Sequence, residues 1–159
     1  MAILETAILY KDKPLSEVQF YSSDEFLSHE TRNGLLSAVV NLVTTAFDDE
    51  IQNFSIGGYT ILVILKDLIG DDDDVDEENK VIDRKMNPPL GIYCIIDKDS
   101  NHKQIKKIME EAITQFINRF SIYAIKNEKP KKFQKFNSRL EKLFQALALK
   151  HEDRFKSIF

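Results

Sequence analysis

The sequence predicts a mixed α/β (α+β) fold, in which a five-stranded, mainly antiparallel sheet lies between helix layers. The first observation is the order of its hydrophobic periods, which runs β-β-α-β-β-β-α-α along the chain. The second is that the runs YTILVIL and LGIYCII are apolar at consecutive positions, so both faces of these strands need cover. The third is that short turns join neighbouring strands, which favours antiparallel pairing.

The first two strands form a predicted hairpin. Residues 2–10 are almost continuously apolar, and residues 11–14 form a turn in which Pro14 should disfavour further ladder pairing. Residues 15–21 then alternate apolar and polar side chains. This alternation is typical of an edge strand with one face in water.

A long apolar segment follows the hairpin and predicts a helix over residues 29–47. Ser28 is the expected N-cap, although Asp24 could begin an earlier turn. The β-branched content of the segment favours a strand, but its length of 19 residues favours a helix. Because the segment is apolar around most of the helix circumference, it should be buried on more than one side.

Three further strands are predicted at residues 51–56, 59–65 and 90–96. The first two are joined by Gly57-Gly58, a hairpin-turn dipeptide that tolerates positive φ. Residues 66–89 form a long acidic loop before the last strand.

Two amphipathic helices complete the predicted fold. The first spans residues 101–120, with Asp99 or Ser100 as its cap, and the second follows Pro130 and reaches about Lys150. Apolar residues recur at helical spacing in both. They are Ile105, Ile108, Met109, Ala112, Ile113, Phe116, Ile117 and Phe120 in the first helix, and Phe133, Phe136, Leu140, Leu143, Phe144 and Leu147 in the second.

Size and charge indicate one domain with an uneven charge distribution. The 159 residues predict a domain over residues 1–150, with the acidic insertion at 66–89, and a C-terminal tail at 151–159. A net charge of −4 argues against a nucleic-acid-binding surface spread over the protein. Residues 126–159 carry ten Lys/Arg against four Asp/Glu, a net of +6, so the rest of the chain carries −10.

The single cysteine indicates a reducing compartment. Cys94 lies inside an apolar strand, so we expect a buried thiol and no intramolecular disulfide. The N-terminal residues have no basic segment before an apolar stretch, and no apolar run approaches the roughly 18 residues that span a bilayer. We therefore expect a cytoplasmic protein, with any membrane contact being peripheral.

No catalytic, cofactor-binding or metal-binding residues are predicted. The acidic loop lacks the Gly and Glu that a calcium loop starting at Asp71 requires, and we expect it to be solvated. His29, His102 and His151 have no metal-ligand spacing, and Gly57-Gly58 precedes a strand instead of a phosphate-binding helix. We therefore predict that the protein is not an enzyme.

Four segments resemble the longin domain, over most of residues 2–150. They are AILETAILYKDKPLSEVQFYS, GLLSAVVNLV, FSIGGYTILVIL and LGIYCIIDKD, the last running directly into an amphipathic helix. Together they look like the longin-like proteins of archaea that have eukaryote-like trafficking genes. The roadblock domain has a related sheet but begins with a helix, whereas this chain begins with a strand.

The resemblance implies a non-enzymatic interaction module in small-GTPase regulation or vesicle trafficking. Its implied partner is a small GTPase, another longin or roadblock subunit, or a second copy of the chain. Because the helix over residues 29–47 has more apolar surface than one sheet face can cover, we predict an interface on that helix. Its predicted residues are Leu36, Val40, Val43 and Phe47.

The basic C-terminal helix supports an alternative, a peripheral membrane adaptor. Its apolar stripe favours core packing with solvated lysines, but the basic positions could also contact anionic lipid, the chain's own acidic loop or an acidic partner. The predicted contact residues are Lys131, Lys132, Lys135, Arg139 and Lys142. RNA binding is disfavoured because Phe133 and Phe136, at helical spacing, should be buried and not offered to bases.

Overall fold

The computed structural model describes residues 3–11, 13–20, 34, 37–38, 52–56, 59–68, 88–97 and 101–148, with backbone alone for 52–56, 146 and 148. The mixed α+β class is confirmed. The strands are β1 (Ile3–Tyr10), β2 (Lys13–Gln19), β3 (Gln52–Ile56), β4 (Tyr59–Lys66) and β5 (Leu90–Asp97). The helices after β5 are α1 (His102–Phe120), α2 (Ile122–Asn127), the 3-10 helix η1 (Pro130–Phe136) and α3 (Asn137–Ala148).

The strands form one antiparallel sheet in the order β2-β1-β5-β4-β3. The pairing of β1 with β5 joins the N-terminal hairpin to the later strands, with Ala7 opposite Tyr93. On the other side of β5, Leu62 of β4 lies opposite Cys94. The two consecutively apolar strands, β4 and β5, are therefore adjacent inside the sheet, where both of their faces are covered.

The sequence prediction for Pro14 is wrong. Proline disfavours ladder pairing, but β2 begins at Lys13, and Pro14 pairs with Leu9 after a register shift between Ile8 and Leu9. Because β2 is an edge strand, the missing N–H of proline costs no inner ladder bond. The turn before it uses Lys11 at φ 58°, a positive φ that allows the tight reversal.

Helix α1 begins one or two residues later than the predicted caps imply. Its N-cap is Asn101, whose side-chain oxygen accepts hydrogen bonds from the backbone N–H of Lys103 at 3.1 Å and of Gln104 at 3.3 Å. These bonds satisfy two of the free donors at the helix start, so Asp99 and Ser100 are not the cap.

The predicted pair of C-terminal helices is also wrong in detail, because the chain forms a short extra helix. Ser121 has φ 71° and ends α1, and its Oγ then accepts a hydrogen bond from the N–H of Ala124 to begin α2. After Pro130, which occupies the first turn of η1, the chain is a 3-10 helix up to Phe136 and α-helical only from Asn137.

The core has two parts, one on each face of the sheet. The larger part joins alternate side chains of β1, β4 and β5 to the apolar faces of the helices, including Phe116, Phe133 and Phe144. The smaller part is on the opposite face and consists, among the described residues, of strand side chains: Leu4, Ala7, Leu9, Ile61, Val63, Leu65, Tyr93 and Ile95. The described helices therefore cover one face of the sheet.

Several predictions lie outside the described residues. They are the interface residues Leu36, Val40, Val43 and Phe47, the acidic segment at 69–87 and the tail at 151–159. Within the predicted helix over 29–47, the structure describes Gly34, Ser37 and Ala38, which are helical and exposed. No helix among the described residues is long and apolar enough to cross a membrane.

Candidate functional site: a basic cleft on the C-terminal helices

The site is built on a cluster of four phenylalanines between α1 and η1. The Phe116 ring centroid lies 4.9 Å from that of Phe120, 5.6 Å from that of Phe133 and 5.2 Å from that of Phe136. Phe120 and Phe133 meet edge to face at 5.0 Å. Tilted and edge-to-face pairs stabilise beyond their buried area, so this cluster fixes how α1 and η1 pack.

Cationic side chains lie over the outer rings of this cluster. The Arg119 Cζ is 5.5 Å from the Phe120 centroid and 5.9 Å from the Phe136 centroid, and the Lys135 Nζ is 5.5 Å from the Phe120 centroid. The negative face of an aromatic ring attracts such cations. Arg119 is in the last turn of α1, where the helix dipole also favours a positive charge.

An open cleft of about 380 Å³ lies beside these rings. It is lined by Gln115, Asn118, Arg119, Phe136 and Arg139. Two guanidinium groups and two carboxamides thus surround one aromatic ring. The volume is at the small end of the range of ligand pockets.

A hydrogen-bonded chain positions Arg139 at the cleft. Its Nε donates to the Gln115 Oε1 at 2.8 Å, and the Gln115 Nε2 donates to the Glu111 Oε1 at 3.0 Å. The Gln115 amide therefore uses both of its ends, and Arg139 keeps its terminal amino groups for another acceptor. Among the described residues, neither Arg119 nor Arg139 has a carboxylate within salt-bridge distance.

The predicted basic residues are exposed, but the structure brings few of them together. Of Lys131, Lys132, Lys135, Arg139 and Lys142, only Arg139 lines the cleft, while Lys135 lies over the adjoining Phe120 ring. The Lys132 Nζ instead pairs with the Glu128 Oε1 at 3.2 Å. Sequence reasoning missed Gln115, Asn118 and Arg119, because helical periodicity shows that they are outside the apolar stripe but not what they face.

A separate contact fixes the helix layer to the edge of the sheet. The Asn137 Oδ1 accepts hydrogen bonds from the Ser16 Oγ at 2.7 Å and from the backbone N–H of Glu17 at 3.1 Å. Ser16 is buried on β2, so its hydroxyl depends on this acceptor. The bond places the junction of η1 and α3 against β2, and with it the residues that follow, including Arg139.

The predicted burial of Cys94 is confirmed. Its Sγ donates to the Thr6 Oγ1 at 3.2 Å, and the Thr6 hydroxyl donates to the Tyr93 carbonyl at 2.9 Å. Burial raises the pKa of the Cys94 thiol to about 12, against the lowering effect of the Thr6 hydrogen bond. The thiol is therefore neutral at physiological pH and is a poor nucleophile.

No group of three or more His, Cys, Asp or Glu side chains that could hold a metal ion occurs in the part of the chain that the structure describes. What the described geometry offers is an open cleft with two guanidinium groups, of the kind that pair with anionic groups, beside a buried aromatic ring. No family model matches the chain, and no curated protein matches it.

Proposed function

We propose that the protein is a non-enzymatic, longin-like interaction module of the cytoplasm that pairs with a second copy of itself, another longin or roadblock subunit, or a small GTPase. The observation that carries the proposal is the sheet, in which an N-terminal hairpin pairs through β1 with the last of three later strands and an amphipathic helix follows directly. This arrangement agrees with the four segments on which the longin resemblance rests.

The second face of the sheet supports an interaction role for the helix predicted over residues 29–47. The strand side chains of that face, such as Ile61 and Ile95, are buried, and a longin-like arrangement would have that helix over them. Helical spacing of 100° per residue would then separate two faces of the helix. The exposed Gly34, Ser37 and Ala38 share one face.

The predicted interface residues Leu36, Val40, Val43 and Phe47 would share the opposite face of such a helix. The two faces can be tested with matched charge substitutions. Light scattering at micromolar concentration should give about twice the chain mass of 18.4 kDa. Val40→Glu should lower the mass toward that of a single chain or lower the melting temperature, whereas Ala38→Arg should leave both mass and melting temperature unchanged.

Mass and melting temperature together show which face of the helix carries the interface. A fall in melting temperature without a change in mass would assign Val40 to the core and remove its face from the interface. A shift in mass with Ala38→Arg would place pairing on the exposed face. A concentration-independent single chain in the wild type would refute self-pairing, and turnover of GTP or ATP by the purified protein would refute the non-enzymatic role.

The alternative function is a peripheral membrane adaptor. The observation that favours it is the exposure of the basic residues on η1 and α3, among them Lys131, Lys135 and Lys142. Such residues attract an anionic lipid surface by about 1 kcal/mol each near the membrane. Vesicle binding, measured as one arm of the experiment below, separates this alternative from a protein partner.

A further inference from the structure

We propose that the cleft lined by Gln115, Asn118, Arg119, Phe136 and Arg139 binds a carboxylate side chain from an acidic peptide segment of a protein partner. An acidic partner at this cleft rests on the interaction role proposed above. It would bind at a surface separate from the predicted helix interface.

The donors in the cleft suit a carboxylate. The Arg139 side chain is held through its Nε by Gln115, and its terminal amino groups have no partner among the described residues. Arg119 is held over two phenylalanine rings. Among the described residues, no carboxylate lies within salt-bridge distance of it. Planar guanidinium groups donate two parallel hydrogen bonds to a carboxylate, and groups whose positions are already fixed lose less side-chain entropy on binding.

The charge of the cleft favours a monoanion over a phosphate dianion. Arg119 and Arg139 contribute two positive charges, and the Glu111 carboxylate, hydrogen-bonded to Gln115 at 3.0 Å, contributes one negative charge. The immediate net charge is therefore +1, which one carboxylate neutralises. Lys135, over the adjoining Phe120 ring, adds an attraction that further acidic residues of the same peptide would use.

The remaining lining groups favour a peptide over a bare ion or a lipid surface. The Phe136 ring borders the cleft but is only 1% exposed, so it supports the Arg119 guanidinium and offers little contact surface itself. Asn118 is exposed and presents both a donor and an acceptor, which match a peptide amide group. A phosphate would use the donors of the cleft alone and would leave the acceptor of Asn118 unused. A lipid surface is flat, whereas these groups converge in a cleft.

The experiment measures fluorescence anisotropy of a labelled peptide that carries consecutive glutamates between Gly-Ser flanks, titrated with the full chain. At about 0.1 M salt, where the Debye length is about 10 Å, contacts inside the cleft persist while distant attraction is screened. We expect saturable binding that the glutamine version of the peptide lacks. The double variant Arg119→Gln/Arg139→Gln should weaken binding by about tenfold or more, because both guanidinium groups are lost.

A matched control removes the same charge elsewhere on α1. Lys103 and Lys107 are exposed and begin the helix, about 18 Å or more along its axis from Arg119. Lys103→Gln/Lys107→Gln should change binding less than about twofold, as expected for screened charges. Asn118→Asp adds a carboxylate at an exposed position and should weaken binding without lowering the melting temperature, so the test survives if the arginine double variant folds poorly.

Four outcomes would overturn the inference. These are no binding of the acidic peptide, equal losses in the two double variants, unchanged binding with Asn118→Asp, and displacement of the peptide by inorganic phosphate at equal concentration. Phosphatidylserine vesicles form the remaining arm. Vesicle binding that depends on the two arginines, without peptide binding, would assign the cleft to lipid headgroups. None of these results bears on self-pairing, so failure here leaves the proposed function standing.

Discussion

Replacing Asn137 with alanine should destabilise the fold more than its exposed surroundings suggest. The substitution removes the acceptor for the Ser16 hydroxyl, which lies 2.7 Å from the Asn137 Oδ1 and is only 1% exposed. A buried polar group without a partner costs about 1–3 kcal/mol. The second bond, from the N–H of Glu17, is in an exposed position where water can replace the amide oxygen. We therefore expect the free energy of unfolding to fall by about 1–3 kcal/mol.

A double-mutant cycle identifies the cause of this loss. Ser16→Ala removes the hydroxyl itself, so it should cost only about 0.5–1.5 kcal/mol, the net value of a hydrogen bond. The double variant should then cost less than the sum of the single variants, by about 0.5 kcal/mol or more. Asn137→Asp keeps an acceptor for both donors and serves as the control that should remain close to the wild type.

Urea denaturation followed by far-ultraviolet circular dichroism is the assay. The midpoint should shift while the m-value stays constant, because the surface exposed on unfolding does not change. A loss below about 0.5 kcal/mol for Asn137→Ala, which is typical of a surface substitution, would refute the reasoning. Additive losses in the double variant would show that the two residues do not act through each other.

Two further predictions concern the core. Since the pKa of the Cys94 thiol is raised from 9.0 to about 12, the unfolded chain releases this proton at lower pH than the folded chain, so the free energy of unfolding should fall as pH rises from about 9 toward 12. Cys94→Ala should remove that component of the alkaline pH dependence, and equal alkaline slopes in the two proteins would contradict it. Phe116→Ala should cost about 3–5 kcal/mol because the ring is fully buried among three others. Tyr123→Ala, at a side chain 75% exposed, should stay within about 0.5 kcal/mol in the same urea titration, and similar losses for both would refute the assignment of Phe116 to the core.

The fold was predictable where one physical signal dominated. The consecutive apolar residues of β4 and β5 could be satisfied only by cover on two faces, and the apolar stripe of α1 repeats at helical spacing over its whole length. The sequence predictions are wrong where the local backbone geometry determines how a helix ends or which type of helix forms. Ser121 carries no hydropathy signal for its positive φ, and apolar spacing does not distinguish a 3-10 helix from an α-helix over the single turn between Phe133 and Phe136.

The candidate cleft was only partly predictable, for a different reason. Charge counting identifies Lys135 and Arg139 as basic surface positions, and both lie at or near the cleft. Arg119, Asn118 and Gln115 come from another helix, and their meeting with Arg139 depends on how the phenylalanine rings set the contact between α1 and η1. Sequence periodicity gives the face of each helix but not which two faces meet.

The pairing of β1 with β5 has a consequence for synthesis on the ribosome. Thr6 and Tyr93, joined by a hydrogen bond in the finished sheet, are 87 residues apart in the chain. At about 5–20 residues per second, roughly 4–17 seconds separate the synthesis of these two strands. During that interval the nascent N-terminal hairpin has no neighbour for the inner edge of β1, an apolar edge of the kind that recruits foreign strands. Until β5 is synthesised, the edge of β1 can pair with strands of other chains. Production of this protein should therefore improve at lower temperature or with a chaperone that holds the nascent chain, because both reduce such pairing.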